Sequence, residues 1–308
     1  MQSQVSVIIP TFNSAPFIAD TLTSALEQDT PAGEIIVVDD ASTDETAKIV
    51  QGFTKKASIP IRLIRLAVNS GSPVLPMNIG VQASRFSLFT ILDHDDLLEP
   101  GAIACYSQAW LRLADPTLGM IASDQKHFRG QSEICFSHLR RPNGVFYHLN
   151  GSMPNGEVVF TPEEARRLLC HSSCLPAKAV FSRATWESLS GFSNRYRSAW
   201  DEDYVWRVAE KHKIAVVDRI LVRVRLHGQN LSGNPSLVCR ELINHFYFML
   251  ADTRNPELRS VIRKRIEKES FDIAYSAYKG RAFRTLLPAI CRLAIARMYT
   301  TLGASLSS

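Results

Sequence analysis

Residues 34–46 read EIIVVDDASTDET. An apolar run rich in β-branched side chains passes without a break into two aspartates, and then into Ser42-Thr43-Asp44-Glu45, the spacing of a capping box that starts a helix. A strand without polar alternation is buried on both faces, as in a parallel sheet covered by helices. The stretch therefore predicts a strand over Glu34–Val38, a short turn, and a helix whose N-terminus faces the end of that strand. It is one strand-to-helix unit of an α/β fold, and it delivers carboxylates to the strand edge where such sheets bind ligands.

The same pattern repeats on either side. Upstream, VSVIIP at 5–10 is a strand, and Ile18, Leu22, Ala25 and Leu26 fall on one face of a helix expected to begin near Ser14. Downstream, Arg62–Leu66 and Leu88–Leu92 supply further strands, the latter ending in Asp93-His94-Asp95-Asp96. Residues 129–157 carry GQS, RPNG, NGS and PNGE in close succession and read as a long functional loop. Helical spacing returns at Thr161–Leu169 and Asp203–Glu210, followed by strands at Ile214–Val217 and Leu221–Leu226. From about Ser236 the chain reads as helix, with Val238, Leu242, Phe246 and Met249 on one face and Arg240, Glu241, Asn244 and His245 pointing elsewhere. The repeating units predict an α/β fold, a mostly parallel, Rossmann-like sheet flanked by helices over 1–235, with a helical C-terminal extension over 236–308.

At 308 residues and 45% hydrophobic content the chain can bury a large core. Its six cysteines are scattered and are expected to be reduced thiols. The opening MQSQVSVIIPTF lacks a basic leader and reads as the first strand, while the apolar stretch Leu286–Met298 is interrupted by Pro288, Arg292 and Arg297. The expectation is a cytoplasmic protein that does not cross the membrane. Net charge is +5, yet Arg254–Arg297 alone holds 11 Lys/Arg against 4 Asp/Glu. Such a basic tail is either a solvated helix face or a surface for anionic lipid at the inner face of the cell membrane, or for an anionic acceptor. Nucleic acid is not an expected partner, because clustered aromatics and nucleic-acid-binding motifs are missing.

Three acidic groups could carry chemistry. Asp93-His94-Asp95-Asp96 at the end of an apolar strand needs a compensating cation or hydrogen-bond donors, and carboxylate oxygens suit Mg2+ or Mn2+ shared with phosphate oxygens. Asp39-Asp40 either binds a base or ribose or only stabilises a helix N-terminus. Asp201-Glu202-Asp203 either holds a general base for a hydroxyl group or is simply an acidic helix start. Beyond Arg223 and Arg225, His227 is placed to ligate a metal, contact phosphate, or pack. Cys170-His171-Ser172-Ser173-Cys174, with Cys135 and His138, lacks the paired CxxC spacing of a zinc site.

The segments VSVIIPTFNSAPFI, EIIVVDDASTDET, NSG with MNIGVQAS, FTILDHDDLLEP, DEDYVWRVAEKH and VRLHGQNLS, in this order, resemble family 2 glycosyltransferases of the GT-A fold over residues 3–235. The resemblance implies inverting transfer of a sugar from a nucleotide-diphosphate sugar to a hydroxyl of a glycan or lipid-linked acceptor, with Mn2+ or Mg2+. It implies donor contacts at Pro10, Thr11, Asn13, Asp39, Asp40, Asp93 and Asp95, a metal at Asp95 and His227, and a base at Asp203 or Glu202. Two positions depart from the family pattern: Met77 stands where an arginine is common, and the segment from the acidic pair to Trp206 is one residue short. Two other readings stay open. One is a binding module for nucleotide sugars or glycans without turnover; the other is a metal-dependent phosphatase built on Asp39, although DDAST is not the DxDGT that reading requires.

Overall fold

The computed structural model describes residues 4–134, 137, 139–140, 144–149, 151, 153–171, 175, 178–228, 230 and 234–279. The first half runs β1 (Val5–Thr11), α1 (Ile18–Leu26), β2 (Glu34–Asp39), α2 (Thr46–Thr54), β3 (Ile61–Arg65), α3 (Val74–Ala83), β4 (Leu88–Ile91), β5 (Leu97–Leu98) and α4 (Ala102–Leu113). The second continues with β6 (Leu118–Arg129), β7 (Ser132–Ile134), α5 (Val145–His148), β8 (Glu157–Phe160), α6 (Pro162–His171), β9 (Ala179–Ser182), α7 (Arg183–Ser188), α8 (Trp200–Lys211), β10 (Lys213–Arg225), α9 (Pro235–Asp252) and α10 (Pro256–Lys279).

One sheet takes the order β3-β2-β1-β4-β9-β6-β10-β5, with β7 beside β6 and β8 beside β10. β3, β2, β1 and β4 are parallel to one another. β9 then enters antiparallel between β4 and β6, so the far half is mixed. The chain leaves β1 toward β2 and β3 on one side and returns with β4 on the other. That reversal opens a crevice at the C-terminal ends of β1 and β4, the place where ligands bind in such sheets.

Every residue of β1 and β2 is buried. Ile8, Ile36 and Val38 face one layer, with Met77, Leu168, Trp206, Phe246 and Ile262, while Val5, Val7, Ile9, Ile35 and Val37 face another with Leu22, Ile103 and Tyr106. Gly80 lets α3 settle on β1, since a Cβ there would lie 2.3 Å from Ile8 Cγ2. Met77 is fully buried in the same layer, so this position offers the site no charge.

Several local expectations are corrected. The capping box does not form: α2 begins at Thr46 and its flanking residue Glu45 makes no side-chain cap. Asp44 does that work, accepting from the Thr46 N–H at 3.0 Å, while Ser42 Oγ is engaged by the Asn13 N–H at 2.9 Å. The helix expected near Ser14 begins at Ile18 after a turn closed on the Ser14 carbonyl. The two strands expected at 214–217 and 221–226 are one strand, β10, with register shifts near Val217–Ile220. In α9, His245 is buried, and burial pushes its imidazole down to about 3, so it is a neutral core group rather than a surface one. Within the 129–157 loop, β7, α5 and the start of β8 are ordered elements.

Candidate functional site

The loop after β1 and the loop after β2 are tied to each other before any ligand is considered. Pro10 and Thr11 end β1, and Thr11 Oγ1 meets Ser14 Oγ. Asn13 sits at φ +48, a left-handed conformation that asparagine tolerates, and its Oδ1 accepts from the Thr43 N–H at 2.9 Å. Ser14 N–H donates to Thr46 Oγ1 at 2.8 Å. Asp39 is fully buried; its Oδ1 accepts from the Ser42 N–H at 3.0 Å and its Oδ2 pairs with Arg65 Nε at 2.8 Å. Both Asp39 oxygens are thus engaged by the protein itself. Asp40 accepts from the Ser70 N–H at 2.9 Å and the Ser70 hydroxyl at 2.8 Å. Each carboxylate oxygen carries a further lone pair, so neither arrangement prevents Asp39 or Asp40 from also accepting a donor from a ligand.

The loop after β4 holds four consecutive polar residues with different partners. Asp95 Oδ2 lies 2.9 Å from His227 Nε2 and 3.2 Å from Asn230 Nδ2. Asp93 and Asp96 share Lys178, whose Nζ is 2.5 Å from Asp93 Oδ2 and 2.7 Å from Asp96 Oδ2. Asp96 Oδ1 also accepts from the Arg225 N–H at 3.0 Å, and the His94 carbonyl accepts from Thr21 Oγ1 at 2.8 Å. Burial works against every charge here. For Asp93, the attraction of Lys178 outweighs burial and holds the carboxyl below its usual range. For Asp96, burial and the neighbouring Asp93 and Asp95 charges win, raising it to about 7 despite Lys178. Lys178 itself is held above its ordinary value, because the two carboxylates overcome the cost of burying its charge.

His227 comes to this loop from the segment after β10. The Phe17 ring, at the entrance to α1, stacks on it with centroids 4.3 Å apart and planes at 27°. The Arg225 guanidinium lies 5.4 Å from the Phe17 ring and 4.8 Å from the Phe128 ring, donates to the Asp95 carbonyl at 2.9 Å and pairs with Asp20 at 2.9 Å. These contacts orient the imidazole toward Asp95. Among the described residues no group of three or more His, Cys, Asp or Glu forms a complete metal cage. A carboxylate oxygen and an imidazole nitrogen 2.9 Å apart nevertheless suit adjacent corners of an octahedron, since ligands at about 2.1 Å lie about 3 Å apart there. A carboxylate oxygen beside an imidazole nitrogen is a donor set that fits a divalent ion such as Mn2+ or Mg2+, which Asp95 and His227 would hold. Cys135, His138 and Cys174 of the zinc alternative lie outside the described residues; Cys170 is buried, and burial pushes its thiol up to about 11.

The three acids at the start of α8 separate. Asp203 is fully buried, its Oδ1 paired with Arg195 Nη1 at 3.1 Å and its Oδ2 with Arg207 Nε at 2.8 Å. Arg207 is itself anchored on the Leu189 and Gly191 carbonyls. That geometry turns against Asp203 as a base, because both oxygens hold guanidinium groups inside the protein. Asp201 differs: burial, then the charge of Glu202, raise it to about 7 against the opposing charge of Lys178. Glu202 is partly buried beside it. The N-terminus of α8 is closed by a residue from the C-terminal extension: Glu241 Oε2 accepts from the N–H groups of Arg197, Ser198 and Ala199 at 3.0, 2.7 and 3.2 Å.

Asp93, Asp95, Asp96, Lys178 and His227 thus gather at one edge, flanked by the loops of Thr11, Asn13, Asp39 and Asp40. Lys178, Phe17 and Glu241 were not expected, and neither spacing nor composition marks them. A cleft of about 760 Å3 lies at the opposite, N-terminal ends of the parallel strands, lined by Gln4, Pro31, Ser58, Pro60 and Phe86 and bare of charged side chains. It has none of the groups that this chemistry requires.

The family model Glycosyl transferase family 2 matches residues 6–113. Poly(ribitol-phosphate) beta-N-acetylglucosaminyltransferase TarS of Staphylococcus aureus is 37% identical over 95 residues, 30% of this chain and 16% of that protein. The putative teichuronic acid biosynthesis glycosyltransferase TuaG of Bacillus subtilis is 39% identical over 92 residues, 30% of this chain and 36% of that protein. Chondroitin synthase of Escherichia coli is 25% identical over 246 residues, 79% of this chain and 31% of that protein. The chain thus spans little more than a third, at most, of these relatives' lengths. Among solved structures, S. aureus TarS 1–349 in complex with UDP-GlcNAc superimposes with a TM-score of 0.68 at 18% identity, covering 95% of this chain and 79% of that one. The mannosyltransferase PcManGT from Pyrobaculum calidifontis, in complex with GDP-Man and Mn2+, gives 0.63 at 20% identity, covering 99% and 85%. At such identities these likenesses establish the fold, which is GT-A.

Proposed function

Because residues 6–113 belong to glycosyl transferase family 2, we propose that the chain is an inverting glycosyltransferase that moves a sugar from a nucleotide-diphosphate sugar to an acceptor hydroxyl. The observation that carries this reading is the pairing of Asp95 with His227 at 2.9 Å, in the acidic loop at the C-terminal end of β4. Asp95 and His227 would hold Mn2+ or Mg2+, which when bound supplies positive charge to the departing diphosphate. Asp93 and the Asp39–Asp40 pair accept hydrogen bonds from ribose and base, and the main chain of Pro10, Thr11 and Asn13 borders the nucleotide.

In this reaction the acceptor oxygen attacks the anomeric carbon from the face opposite the diphosphate. The bond from that carbon to the phosphate oxygen breaks and the nucleoside diphosphate leaves. The hydroxyl proton passes to Asp201 Oδ, so one displacement inverts the configuration. A base works best when its pKa lies near the operating pH, which favours Asp201; both oxygens of Asp203 are instead engaged by guanidinium groups. Glu202 contributes through its charge, which helps keep Asp201 basic.

The acceptor is proposed to be a glycan or a lipid-linked glycan. The proposed division is a donor-binding unit over 1–235 and an extension over 236–308 that meets the acceptor or the membrane surface. Among the described residues no helix is long and apolar enough to cross a membrane. Three of the tail's cations are engaged within the protein: Arg259 donates to the Thr253 carbonyl at 2.8 Å, Arg265 to the Leu169 carbonyl at 2.6 Å, and Lys268 pairs with Asp272 at 3.1 Å. Any lipid attraction would come from the others.

Thermal unfolding with UDP, GDP, dTDP and CDP, each with Mn2+, Mg2+ or chelator, tests the donor site. A nucleotide at a hundred times its dissociation constant adds about 2.7 kcal/mol, a shift of about 5 °C or more. The reading expects one nucleotide to give a metal-dependent shift that Asp95→Ala abolishes. Shifts with none, or shifts indifferent to metal and to Asp95, would overturn it.

A further inference from the structure

The acidic loop after β4 carries more negative charge than one divalent ion needs, and the structure shows where the surplus goes. Asp93, Asp95 and Asp96 lie within four consecutive residues. Lys178 takes one oxygen each from Asp93 and Asp96, leaving Asp95 to His227 and Asn230. The lysine is held by more than these carboxylates. Its main-chain carbonyl accepts from the Ser123 N–H at 3.0 Å and the Ser123 hydroxyl at 3.2 Å, and the Ser123 hydroxyl meets the Tyr106 hydroxyl at 2.8 Å inside the core. The side chain is only 17% exposed, and Asp96 is fixed from its other oxygen by the Arg225 N–H. A fixed ammonium beside two carboxylates repels a second cation and satisfies their charge at the same time.

We propose that Lys178 is a positioning residue that divides this loop by role: it occupies Asp93 and Asp96, so that a single divalent ion is confined to Asp95 and His227 and Asp93 stays oriented as an acceptor for the donor. The inference rests on the glycosyltransferase reading for the identity of the ligands, but its central claim concerns how many cations the loop admits.

The test counts Mn2+ on the full chain by electron paramagnetic resonance and calorimetric titration, with circular dichroism to confirm folding. Wild type is expected to bind one ion. Lys178→Met should bind a second, or bind the first at least about tenfold more tightly, while binding nucleotide less well. Adding Asp96→Asn to Lys178→Met removes the exposed surplus charge and should restore one ion at wild-type affinity. A folded Lys178→Met with unchanged stoichiometry and affinity overturns the proposal, since a purely structural lysine would leave the ion count alone. Should Lys178→Met fail to fold, Asp96→Asn in the wild-type background decides: retention of the single ion supports the division, and its loss overturns it. If wild type binds no Mn2+, the metal reading of the site fails separately. Lys178→Met still decides the inference then, because a gained ion supports it and no gain defeats it.

Discussion

At the residue scale the decisive contrast is between Asp201 and Asp203, two positions apart on one helix. Successive helical residues rotate by about 100°, so these side chains point nearly opposite ways. Asp203 turns into the protein and onto Arg195 and Arg207, whereas Asp201 shares neither guanidinium and is only partly buried. Asp201→Asn should lower turnover by at least about a hundredfold with little change in nucleotide affinity, measured by transfer assay and calorimetry. In the parent, kcat/KM should rise with pH through about 7 as Asp201 loses its proton. The stability effect runs the other way. A carboxyl raised from 3.8 to about 7 by folding favours the folded state least once it ionises, so stability is lost as pH rises through that range. Asp201→Asn should therefore raise the melting temperature above pH 7 and change it little near pH 4. Phe17 offers a second residue-level check: Phe17→Leu frees the His227 ring and should weaken Mn2+ binding by about tenfold, with Phe17→Tyr restoring it.

At the element scale, the start of α8 depends on α9. Glu241 accepts from the three consecutive N–H groups that lead into the helix, the last of them on its flanking residue Ala199, and reaches them from 42 or more residues away. Glu241→Ala should cost about 1–3 kcal/mol and should lower turnover as well, because Asp201 sits in the first turn of α8. Its own burial opposes its charge, but the donors from Ser198, Arg197 and Ala199 prevail and hold the carboxyl below 4.5. That contribution is complete above pH 4.5 and is lost as pH falls through the folded value, so the gap between parent and variant melting temperatures should close in acid. This is also where reading by local pattern met its limit. Ser42-Thr43-Asp44-Glu45 has the right spacing for a cap, yet Ser42 is claimed by Asn13 from another loop. A local motif loses when a tertiary partner offers the same group a better-placed bond.

At the scale of the whole molecule, α9 and α10 finish a core that the first 235 residues leave open. Ile243, Phe246, Met249, Leu250, Leu258, Ile262 and Ile266 are buried with Leu168, Leu169 and Trp206 of α6 and α8. At about 1.5–3 kcal/mol for each buried side chain, their total matches or exceeds the net stability of a typical domain, about 5–15 kcal/mol. A chain ending at residue 235 should consequently lose its cooperative thermal transition, and restoring residues up to 279 should recover it. The same core explains why Gly80 cannot be replaced freely: Gly80→Ala pushes α3 off β1 and should destabilise by about 1–3 kcal/mol despite the better helix propensity of alanine.

The sequence by itself determined the parallel half of the sheet and the edge that carries the acids. An unbroken apolar strand ending in aspartate permits little else, since its faces must be buried and its charges must emerge at its end. Asp39, Asp40, Asp93 and Asp95 were legible for that reason. Tertiary structure alone decided the rest. β9 entered between β4 and β6 and carried Lys178 to Asp93 across 85 positions of sequence. The rotation of α8 set Asp203 onto Arg195 and Arg207 and left Asp201 off them, and Phe17 met His227 because α1 and the segment after β10 converge on one loop. Charges and rings find their partners through space, and the distances that govern those pairings exist only after the chain has closed on itself.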